Sequence, residues 1–68
     1  MIGYDRIVLF LGKEIHISCD GRFYNGKILE INQEKKFLIL IDFKLGEVPI
    51  LFEDILGIEP FIQRGVAE

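Results

Sequence analysis

One cysteine, one histidine and no long apolar run: each scarcity in this 68-residue chain removes a class of protein. A single thiol, Cys19, forms no internal disulfide. It fits a reducing compartment, where a lone cysteine packs as a small hydrophobe. The one histidine, His16, has no Cys, Asp or Glu at metal-ligand spacing, so no metal or cofactor is expected. His16 and Ser18 share one face of a strand, yet neither an acid nor an oxyanion turn completes a nucleophilic site. The neighbouring carboxylates of Glu53 and Asp54 diverge at a turn, and the glycines never cluster into a phosphate-cradling loop. Nothing here marks an enzyme. The longest early apolar run, Ile7 to Leu11, is too short for a signal peptide or a membrane span, so the expected location is the cytoplasm.

Hydrophobic residues, by contrast, make up 50% of the chain, and its mean hydropathy is +0.32. That excludes disorder. It is also generous for a domain of this size, which buries only about 60% of its unfolded surface. One domain over residues 1–62 with a mobile tail at 63–68 is expected, its core marginal when alone. The apolar surplus therefore points to self-association. The net charge of −3 and pI near 5.0 argue against holding nucleic acid by bulk attraction to phosphate. The charge is uneven: residues 1–36 carry six basic and five acidic groups, residues 37–68 two and six. Any anion site would draw on the first half.

Periodicity supplies the elements. Tyr4 to Leu11 reads as a short helix with Asp5 near its start as the cap, ended by Gly12. From Lys13 to Cys19 the period is two, with Ile15, Ile17 and Cys19 on one face and Glu14, His16 and Ser18 on the other. Asp20-Gly21 turns the chain into a long strand, Arg22 to Ile31, in which Gly26 permits a sharp bend or the close approach of another strand. After the polar turn Asn32 to Lys35, the unbroken run Phe37 to Ile41 predicts a strand covered on both faces, one by the core and the other by a partner. Glu47 to Phe52 and Ile55 to Ile58 follow, separated by a corner at Glu53-Asp54. The fold class is all-β: five strongly bent antiparallel strands in a small barrel behind a short N-terminal helix.

Gly12-Lys13-Glu14-Ile15, Asp20 to Ile28 and Phe37 to Asp42 together resemble the first motif block of the Sm and Sm-like proteins, in a register that spans about residues 4–59. The resemblance implies a bent five-stranded barrel, akin to SH3-like barrels, and a homo-oligomeric ring that binds single-stranded RNA. In such rings the fourth strand pairs with the fifth strand of the adjacent subunit. The uridine-pocket positions differ here: Asn32 and Lys36 stand where an Asp and an Asn are usual, and Leu51-Phe52 where an Arg-Gly pair is. The RNA contacts that the resemblance leaves are Asn32, Lys35, Lys36 and Phe37. Residues 46–55 are also similar to the last strands of the C-terminal barrel of bacterial ribosome maturation factors, which contacts protein.

Two functions follow as expectations. One is an RNA-binding or RNA-chaperoning oligomer. The other is a protein-interaction barrel without RNA, joined to itself or to another protein through Val48, Ile50, Phe52, Ile55 and Ile58. Pro49, inside the fourth strand, removes a backbone donor and so bears on whether a ring forms.

Overall fold

The computed structural model describes residues 2–61, as one antiparallel sheet behind a short helical segment. Helix α1 spans Tyr4–Ile7 and runs on into a 3-10 turn, Val8–Phe10. Its N-cap is Gly3, which has no side chain to cap with, and the Gly3 carbonyl accepts the N–H groups of Arg6 and Ile7 at 3.1 Å. Asp5 thus lies inside the first turn and does not cap it, contrary to the sequence expectation. What holds so short a helix is burial: Ile7 is fully enclosed.

Strand β1 is Glu14–Cys19, β2 Arg22–Asn32, β3 Phe37–Asp42, β4 Gly46–Leu51 and β5 Ile55–Pro60, with a second 3-10 turn at Phe52–Asp54. The sheet order is β4-β3-β2-β1-β5, every neighbouring pair antiparallel. Among the described residues β4 and β5 are therefore the two free edges. The alternation expected in β1 is observed, with Ile15 and Ile17 fully buried beside exposed or half-exposed Glu14, His16 and Ser18. Three turns use positive φ, at Gly12, Gly21 and Gly46.

Ten side chains form the core: Ile7, Ile15, Ile17, Ile28, Leu38, Leu40, Ile50, Phe52, Ile55 and Ile58. Along β3, Leu38 and Leu40 are buried in the core, while Phe37, Ile39 and Ile41 on the other face are half-buried. One sequence reading needs correction: Ile50, Phe52, Ile55 and Ile58, expected at an oligomer contact, turn inward into the chain's own core, and Val48 packs half-buried against it. Their alternation is legible, but the sequence does not say which face the curvature of the sheet encloses.

That curvature has visible causes. At Gly26 a Cβ would run into the backbone carbonyl of Ile41, so only glycine lets β2 and β3 approach so closely. Register shifts between Ile28 and Glu30 in β2, and opposite Ser18/Cys19 in β5, bend both strands and leave Leu29 and Leu56 exposed.

Candidate interaction surfaces

The turn between β2 and β3 carries the expected RNA contacts. Its shape is fixed from within: the Asn32 side-chain oxygen accepts the Lys35 N–H at 2.8 Å, and Lys36 adopts a φ of 60°. The Lys36 carbonyl accepts the Phe52 N–H at 2.9 Å. Asn32 thereby spends its acceptor on the turn, an Asx-type use of the side chain. Lys35 and Lys36 stay exposed. Phe37 is half-buried and borders a depression of about 390 Å³ with Pro49, Ile50, Leu51 and Asp54. That lining contributes a carboxylate and no further cation, so charge does not converge there on a phosphate.

A second surface was not expected from the sequence. Phe43 and Leu45 flank Lys44 in the β3–β4 turn and are 53% and 68% exposed, and Phe23, at the start of β2, is 69% exposed. Phe61 meets Phe43 edge-on, the ring centroids 5.6 Å apart at 62°. These four residues, with Asn25, Asp42 and Lys44, line a depression of about 330 Å³. The available signal was an apolar-charged-apolar turn, Phe43-Lys44-Leu45, where loops are ordinarily polar.

Asp42 makes this end rigid. Its carboxylate accepts N–H groups from Lys44 at 2.8 Å, Leu45 at 2.9 Å and Asn25 at 3.1 Å. Burial by itself would raise its pKa. The three backbone donors and the Lys44 charge outweigh that and hold it below the ordinary carboxylate value. The exposed Phe43 and Leu45 are thus presented on a turn tied to β2 and β3, with the Phe43 N–H also bonded to the Asn25 carbonyl at 2.9 Å.

Beside it runs an open groove of about 690 Å³ whose lining includes Arg6, His16, Ser18, Phe23, Leu56 and Glu59. The His16 Nδ1 donates to the Asn25 Oδ1 at 2.6 Å, which sets the ring's tautomer, and the ring stacks on Phe23 at 5.5 Å and 22°. Phe23 is common to both depressions, so the apolar end and the groove form one continuous surface. Cys19 is partly buried; desolvation raises its pKa, reinforced by Asp54 and opposed by Arg22, so at neutral pH it is a thiol. No group of His, Cys, Asp or Glu among the described residues is placed to hold a metal ion, and no helix among them is long and apolar enough to cross a membrane.

No family model matches this chain, and neither the curated proteins nor the solved structures searched contain a match.

Proposed function

We propose that this protein is a small-barrel interaction module of the cytoplasm, without catalytic activity, that binds protein through its apolar end. The observation that carries this reading is an apolar cluster in which Phe23, Phe43 and Leu45 are largely exposed and Phe61 half-buried, with Phe43 and Leu45 on the turn that Asp42 holds. Contiguous exposed apolar surface is costly to solubility and marks contact sites. Rigid aromatic anchors are what such sites use, since little side-chain freedom is lost on binding. Five antiparallel strands behind a short helix, bent at Gly26 and at two bulges, support the finer reading of a small Sm-like or SH3-like barrel. The test is affinity capture with the parent chain and with Phe43→Ser/Leu45→Ser, followed by titration of the purified partner. At least about tenfold weaker binding by the variant is expected, equivalent to ~1.4 kcal/mol. Equal binding, with both chains folded, rejects the reading.

A second reading is favoured by one observation, the exposed pair Lys35 and Lys36 on a turn of fixed shape. It makes the chain a divergent Sm-like RNA binder, with those two cations on phosphate and Phe37 beside them. A fluorescent oligo(U) or mixed-sequence RNA titrated at low salt decides it. Saturable binding that Lys35→Ala/Lys36→Ala abolishes supports RNA recognition, and its absence removes this reading.

A further inference from the structure

The chain has two prolines, Pro49 and Pro60, and each lies on one of the sheet's two free edges. Their phase decides what they do. The Phe52 N–H bonds to the Lys36 carbonyl, in the same register that pairs Leu51 with Phe37 and Pro49 with Ile39. Hydrogen-bonded and non-hydrogen-bonded pairs alternate along an antiparallel ladder. In β4, then, Ile50 and Val48 aim their N–H groups at β3, while Leu51, Pro49 and Glu47 face outward. On the other edge, the Phe61 N–H bonds to the Glu14 carbonyl, in the register that pairs Pro60 with Ile15 and Ile58 with Ile17. The same alternation turns Glu59 and Phe61 toward β1, and Ile58 and Pro60 outward.

Both prolines therefore cost the chain's own ladder nothing, and both remove a donor from an outward row. On β4 the gap falls between Glu47 and Leu51, so no two successive outward positions can donate. On β5 it falls next to Ile58, beyond which the bulge at Leu56 breaks the alternation. Each ring also places its methylene groups where the hydrogen of an approaching pair would lie.

We infer that Pro49 and Pro60 close both free edges to strand addition, so that copies of this chain do not join through β4 and β5, and association runs through side chains. This separates the protein from the ring that an Sm-like barrel implies, whatever ligand it binds. Edge prolines are a recognised means of preventing sheet-to-sheet growth.

The test uses the full chain, Pro49→Val, Pro60→Val and the double variant, with amide hydrogen exchange and light scattering across a range of concentrations. In the parent chain the amides of Glu47, Leu51 and Ile58 should exchange without protection at every concentration. The double variant should associate at concentrations lower by about tenfold or more, with those amides becoming protected as it does so. If the parent's edge amides are protected in proportion to concentration, the inference is overturned. It is equally overturned if the double variant stays the parent's size with unprotected edges. Should Pro49→Val fail to fold, Pro60→Val gives the same comparison at Ile58.

Discussion

Gly26 and Ile41 approach so closely across β2 and β3 that a single Cβ at residue 26 would overlap the Ile41 carbonyl. The obstacle is backbone, which cannot swing aside as a side chain does. Gly26→Ala must therefore separate β2 from β3 or lose their pairing, an overpacking cost of about 3 kcal/mol. For a domain this small that is a large share of total stability. Urea denaturation of Gly26→Ala beside the parent chain measures it; a loss under about 1 kcal/mol would mean that the strands relax freely there.

Asp42 offers a prediction with a defined pH sign. Its folded pKa is depressed below 3.8, so its contribution is complete above the unfolded value and fades as pH falls through the folded one. The parent chain should lose stability between about pH 4 and the folded pKa, while Asp42→Asn, weaker at neutral pH, should show a flatter acid limb. Denaturant titrations at pH 7 and pH 3 compare them. At neutral pH the loss in Asp42→Ala should be about 2 kcal/mol or more, since three backbone donors lose a charged acceptor.

Much of this fold was legible because the strand signals were local. The β1 alternation, the turn glycines and the close approach at Gly26 each follow from residue type and spacing alone. Asp5 has the chemistry of a helix cap, but the N-cap is Gly3, two residues before it, whose carbonyl closes the first turn. The interface residues were misplaced for a subtler reason. A period of two sorts β4 and β5 into faces but is blind to which face the sheet curls around, and Ile50, Phe52, Ile55 and Ile58 fell inside. The apolar end is not local in the sequence, because it assembles Phe23, Phe43 and Phe61 from three distant parts of the chain.

Cys19 should react sluggishly with iodoacetamide at pH 8. Desolvation keeps its proton on, with the Asp54 carboxylate adding to that and Arg22 opposing it. Replacing Asp54 with Asn should speed alkylation severalfold, and Arg22→Ala should slow it. Mass spectrometry against time gives the rates, normalised to a free thiol peptide. A Cys19 that matches the peptide, and ignores both substitutions, would contradict the assigned surroundings.

Ile58 and Leu56 stand two residues apart on β5 and should answer oppositely to truncation. Ile58 is 8% exposed within the core, whereas Leu56 is 72% exposed at the bulge. Ile58→Ala leaves a cavity among Ile17, Ile55 and their neighbours and should cost about 2–4 kcal/mol. Leu56→Ser removes only surface contact and should stay within about 0.5 kcal/mol of the parent. Thermal unfolding at low protein concentration separates the two directly. If Leu56→Ser were instead destabilising in a concentration-dependent way, its side chain would be buried against another copy at the β5 bulge.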